Sequence, residues 1–191
     1  MAVDNGAGIA KQRLRAQECH GLGPDARILE MFTGEGYLYR SLWHRWRGLT
    51  IDMDEAKVRA AAKERPSWAC YKADSLRAVR GGIASSVPFD VVDMDAYGAP
   101  WKFLRAWMLS ERERAEVTTI FLTDGYSNRP INVDRALFGV DYDGQVTSAM
   151  VREAVPMRLL EWGREHGLNA RIRRTVRARR MLLHVLEVKC S

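Results

Sequence analysis

The chain has 191 residues, 47% hydrophobic and 28% charged, a length and balance that suit one globular domain with its own core. Cys19, Cys70 and Cys190 are scattered, as are the four histidines, which excludes a disulfide scaffold and a zinc cluster. The net charge of +6 and an isoelectric point of about 9.5 point toward a polyanionic partner.

No apolar run is long enough for a bilayer and the opening residues lack a signal-peptide core, so a cytoplasmic protein with no membrane partner is expected. Residues 1–24 read as an N-terminal extension, Gly-rich and then basic (Lys11, Arg13, Arg15), either loose or folded as a helix over the rest. Pro24 ends it, and residues 25–191 read as a single domain. The apolar run Arg27-Ile28-Leu29-Glu30-Met31-Phe32 predicts a strand. Thr33-Gly34-Glu35-Gly36 predicts a tight turn, and Leu38, Leu42, Trp43 and Trp46 a helix with a core face.

Residues 48–52 predict a second strand ending in Asp52, residues 55–63 an Ala-rich helix stopped by Pro66, and residues 67–71 a third strand before Asp74. Residues 89–94 predict a fourth strand buried on both faces. A helix over 101–113, a strand over 117–123, a polar loop over 124–147 and a helix over 148–166 come next. Strands over 169–176 and 181–188 close the chain as a hairpin. Strands alternating with helices predict a Rossmann-like α/β fold. Its seven-stranded sheet is mostly parallel, with one antiparallel strand from the terminal hairpin.

In such a sheet a ligand sits at the carboxyl ends of the strands, so the turn after the first strand is the place to look. A dinucleotide would bring a pyrophosphate there and would favour glycine at a third position, where this chain has Tyr39. Glu30 before the turn and Glu35 within it would repel pyrophosphate and suit a cationic ligand. Asp52 is placed to accept hydrogen bonds from ribose hydroxyls, and Asp74 from an adenine amine. Taken singly, each acid reads equally well as a helix N-cap.

From Arg27 to Val188 the chain resembles the class I S-adenosylmethionine-dependent methyltransferases. Glu30-x-Phe32-Thr33-Gly34-Glu35-Gly36 is similar to their first motif, Ile51-Asp52 to their second, and Lys72-Ala73-Asp74-Ser75-Leu76 to their third. The segment Asp93-Met94-Asp95-Ala96-Tyr97-Gly98-Ala99-Pro100 resembles the fourth motif of the tRNA (guanine-N2) dimethyltransferases, with Ala96 in place of a proline and Ala99 in place of a serine. Phe121-Leu122-Thr123-Asp124 resembles the strand end of that same group. The resemblance implies S-adenosylmethionine as cofactor, held by Glu30, Phe32, Thr33, Gly34, Gly36, Asp52, Met53, Asp74, Ser75 and Asp93.

An exocyclic nucleobase amine is a poor nucleophile, because its lone pair is conjugated with the ring. A carboxylate that accepts its N–H groups can aim the lone pair, and can also take the proton as a general base. Asp95 is the candidate for that catalytic role, and Tyr97 for stacking on the base. If neither acts so, Asp93 and Asp95 cap the next helix. Asp124 and Tyr126 are expected to line the acceptor side, with Ser127, Asn128 and Arg129 as a lid or a plain surface connection.

Alternation along a strand would place Arg171, Arg173 and Arg177 on one ridge able to meet phosphates; the same charges would equally protect an exposed sheet edge. The function expected is N-methylation of a nucleobase amine, in RNA ahead of DNA, as in tRNA modification. The alternatives are a methyltransferase for a small molecule or protein side chain, and a non-catalytic nucleic-acid-binding module.

Overall fold

The computed structural model describes residues 5–96, 100–125, 148–164, 166–179 and 181–190. Strands β1 (Arg27–Glu30), β2 (Arg47–Asp52), β3 (Trp68–Lys72), β4 (Val91–Met94), β5 (Val117–Asp124), β6 (Leu168–Ala178) and β7 (Met181–Cys190) form one sheet in the order β3-β2-β1-β4-β5-β7-β6. The first five strands run parallel, and β7 is antiparallel to both of its neighbours. This is the Rossmann-like α/β arrangement that the alternating pattern predicts, with the terminal hairpin adding the antiparallel strand.

The period of two along each strand divides the apolar side chains between two cores. Leu29, Val92, Ile120 and Leu186 face one side, packed with Trp107 of α5 (Trp101–Leu109) and Trp162 of α6 (Ser148–Arg164). Ile28, Val91, Phe121 and Val185 face the other, packed with Leu14 of α1 (Asn5–Glu18) and with Trp43. Every residue of β4 is buried, as its unbroken apolar pattern requires. The basic N-terminal stretch is therefore a helix that covers one face of the sheet.

Local chemistry sets the helix ends. Asp54 caps α3 (Glu55–Glu64) by accepting from Ala56 N (2.9 Å) and Lys57 N (3.3 Å), and Pro66 follows its end. The helix after the glycine turn is shorter than expected. It comprises α2 (Tyr37–Ser41) and a 3-10 turn (Trp43–Arg45), which still buries Trp43 completely. The helix expected over 101–113 ends at Leu109, and α4 (Ser75–Arg80) stands where no helix was expected. Among the described residues no helix is long and apolar enough to cross a membrane.

Strand β6 departs from simple alternation. Its register with β7 shifts between Ile172 and Arg174, which leaves Arg173 as a bulge. Before the bulge Leu168, Ala170 and Ile172 pack on the α5 side; after it Val176 and Ala178 pack on the α1 side.

Candidate functional site

The carboxyl ends of the parallel strands gather around the glycine turn. Backbone bonds tie them together: Met31 N donates to Asp93 O (2.9 Å), Thr33 N to Ile51 O (3.1 Å) and Ala73 N to Asp52 O (3.0 Å). Gly34 and Gly36 take φ of 53° and 72°, the left-handed region that favours glycine. A Cβ built on Gly34 would meet none of the described atoms within 4 Å, so a ligand can approach the backbone there.

Asp52 faces this turn and accepts from Gly34 N (3.2 Å) on one oxygen and Asp54 N (2.9 Å) on the other. Asp74 caps α4, accepting from Arg77 N (2.8 Å). Ser75 is buried and its hydroxyl donates to Met31 O. Thr33 is also buried, its hydroxyl 2.7 Å from that of Thr50. Phe32 packs edge-on against Phe103 of α5, with centroids 4.9 Å apart. Met53 is largely exposed beside Asp52. A cavity of about 540 Å³ opens on the turn between α2 and α3, and its wall includes Gly34, Gly36, Lys57 and Glu64. Asp52, Asp74 and Asp95 stand outside that wall.

The charge argument for the turn needs correction. Glu30 does not offer its charge to the crevice: it is buried, hydrogen-bonded to Arg65 and to the Thr50 hydroxyl (2.8 Å). Burial pushes its carboxyl up to about 7, against the pull of the Arg65 guanidinium. Glu35 is exposed and pairs with Lys57 at 3.4 Å. Tyr39, where a dinucleotide site would want glycine, is buried against Trp68 (5.4 Å) and beneath Arg65 (4.4 Å).

The fourth motif meets α1. Asp93 is buried and receives Arg15 Nη2 (2.6 Å), Arg15 Nε (2.7 Å) and Trp43 Nε1 (3.1 Å). Such a saturated carboxylate holds the fold together and has little left for a cofactor. Asp95 receives Lys11 Nζ on both oxygens, at 2.6 and 2.9 Å. The spacings match: four residues of helix rise about 6 Å, and two residues of strand about 6.7 Å.

Burial pushes the Asp95 carboxyl up, but Arg15 and Lys11 outweigh it and hold the group below the ordinary carboxylate range. This suits a hydrogen-bond acceptor and argues against the general-base role. Neither Asp93 nor Asp95 caps α5, whose N-cap is Pro100. Sequence reading passed over Lys11 and Arg15; their four-residue spacing in a basic stretch was the available signal.

No protein-family model and no curated protein matches the chain. Solved structures do. The chain matches Trm1 from Pyrococcus horikoshii, solved with S-adenosyl-L-methionine, with a TM-score of 0.66 and 12% identity, over 96% of this chain and 54% of that one. It matches M. jannaschii TYW2, solved with AdoMet, at 0.61 and 12%, over 99% and 77%. It matches the 23S rRNA methyltransferase ErmE at 0.55 and 16%, over 96% and 68%. The chain has the class I methyltransferase fold.

On the rim of this methyltransferase fold, Asp124 ends β5 and is buried, accepting from Trp101 Nε1 at 3.3 Å. The arginine ridge does not form as expected. Arg171 lies on the α1 side of β6, whereas the bulge at Arg173 puts Arg177 on the α5 side. Arg171 pairs with Glu187 (2.9 Å) and Arg173 with Glu18 of α1 (3.4 Å). Tyr97, Tyr126, Ser127, Asn128 and Arg129 lie outside the described residues.

Proposed function

We propose that the chain is an S-adenosylmethionine-dependent methyltransferase that N-methylates a nucleobase amine, in RNA ahead of DNA. The observation that carries this reading is the gathering of strand ends at the glycine turn: Gly34 N donates to the Asp52 side chain, the Asp52 carbonyl accepts from Ala73 N beside Asp74, and Asp95 follows the end of β4. Gly34, Asp52, Met53 and Asp74 are the residues that would hold the cofactor. Each Asp52 oxygen keeps a lone pair for a ribose hydroxyl beyond the backbone N–H it already accepts. The cofactor, when bound, supplies a methyl group activated by its sulfonium. Asp95 accepts an N–H of the incoming amine and aims the nitrogen lone pair; the released proton passes to solvent, because the lowered carboxyl is a poor base.

The net charge of +6, the likeness of the Asp93–Pro100 segment to tRNA methyltransferases and the fold shared with an rRNA methyltransferase support RNA as the acceptor. A second reading, an acceptor without phosphates, draws on the pairing of Arg171 and Arg173 with acids of this same chain.

Incubation with labelled cofactor and separate RNA, DNA, protein and metabolite fractions tests the reading. Label is expected in RNA, and Asp95→Ala, which removes the acceptor, is expected to abolish it while leaving cofactor binding by calorimetry nearly intact. Label in protein or metabolites alone would establish the second reading. Absence of cofactor binding at millimolar concentration would remove both.

A further inference from the structure

Helix α1 makes two ion pairs with one strand end, and they differ in exposure. The Arg15 and Asp93 side chains are 1% and 0% exposed, whereas those of Lys11 and Asp95 are 19% and 21% exposed. The buried pair, together with Leu14 in the core, already anchors the helix on the sheet. The Lys11–Asp95 pair lies outside that buried anchor. Its exposure leaves Asp95 reachable from solvent while Lys11 holds it.

We propose that Lys11 is a positioning residue of the acceptor site, gripping both oxygens of Asp95 so that the carboxylate meets the incoming amine in one orientation. The inference rests on the role given above to Asp95. A carboxylate has about four lone-pair sites, so the two N–H bonds from Lys11 leave acceptor capacity for a substrate N–H. The charged groups around Asp95 are Arg15 and Lys11 from α1 and Asp93, two residues back on β4. Arg15 is committed to Asp93 through Nε and Nη2, so it cannot take over the grip when Lys11 is removed. The helix before the first strand thereby becomes part of the acceptor site rather than an appendage to it.

The test combines turnover with a direct titration. Lys11→Met is expected to lower kcat roughly tenfold or more, with cofactor affinity unchanged. The acid limb of its pH profile should move to higher pH, and Lys11→Arg should restore most of the rate. Carbon-13 NMR of the Asp95 carboxyl is expected to titrate below the ordinary range in the wild type and higher in Lys11→Met. An ordinary midpoint in the wild type overturns the proposal even if no variant folds. Full turnover in Lys11→Met beside an inactive Asp95→Ala overturns it and spares the role of Asp95. Full turnover in Asp95→Ala, or no methyl transfer by the wild type, overturns both.

Discussion

Glu30 and Asp93 end neighbouring strands on the same face of the sheet, and each meets a buried arginine, Arg65 or Arg15. Asp52 ends β2 and Asp74 follows β3, and both instead accept backbone N–H groups at the rim. All four are carboxylates at strand ends, and all four looked alike as candidate ligands. The difference teaches that position at a strand end is not enough. An acid whose side chain points back along the buried face must be neutralised by the protein, because an unpaired buried charge is prohibitive. An acid that turns to the rim and meets only backbone N–H groups can keep lone pairs for a ligand. Asp95 stands between the two classes, ion-paired but partly open.

The comparison can be broken most forcefully at Arg15. Arg15→Met leaves Asp93 buried without its partner and is expected to lower stability by about 3–5 kcal/mol. Replacing both, as Arg15→Met with Asp93→Leu, should recover much of that loss. Chemical denaturation measures each, and a small effect of the single change would mean that Asp93 is not a structural charge.

Glu30 and Asp95 should differ in sign with pH. The Glu30 carboxyl is raised in the fold, so its contribution is fully present below the unfolded value of 4.5 and is lost as pH climbs through about 7. Glu30→Gln should therefore abolish a stability loss of roughly 3 kcal/mol across that window. The Asp95 carboxyl is lowered, so its contribution is present above the ordinary carboxylate range and is lost on acidification. Unfolding curves on Glu30→Gln and Asp95→Ala, carried from pH 8 down well below pH 4, would separate the two; parallel profiles would contradict the distinction.

At the rim the effects are smaller and fall on binding. Asp52→Ala is expected to weaken the cofactor by about 1.5–3 kcal/mol, the scale of lost hydrogen bonds to a charged group. Calorimetry reads this directly, and an unchanged affinity would take Asp52 out of the cofactor site. Smallest of all, Asp95→Ala should cost only about 1 kcal/mol, because its pair is partly open where that of Asp93 is fully buried. If denaturation instead shows a loss like that of Arg15→Met, Asp95 belongs with the structural acids.

Much of this architecture was readable along the chain. The unbroken apolar run of β4, the short apolar runs of β1 and β5, Pro66 after α3 and the two glycines of the turn each act through their neighbours in sequence. Short-range sterics and periodicity are therefore sufficient to place them. The positions of Asp52, Asp74 and Gly34 at strand ends could be read because strand order dictates where strand ends meet.

What was not readable depends on partners far away along the chain. The pairing of Glu30 with Arg65 joins residues 35 positions apart, and Arg15 with Asp93 joins residues 78 apart. A local pattern carries no record of which charge will face which. The bulge at Arg173 is of the same kind: a single extra residue reverses the faces of everything after it, and alternation alone put Arg177 on the wrong side. Order and type of elements follow from local forces acting on each segment. The fate of each charge follows from packing, which decides which side chains lose their water and must find a counter-ion.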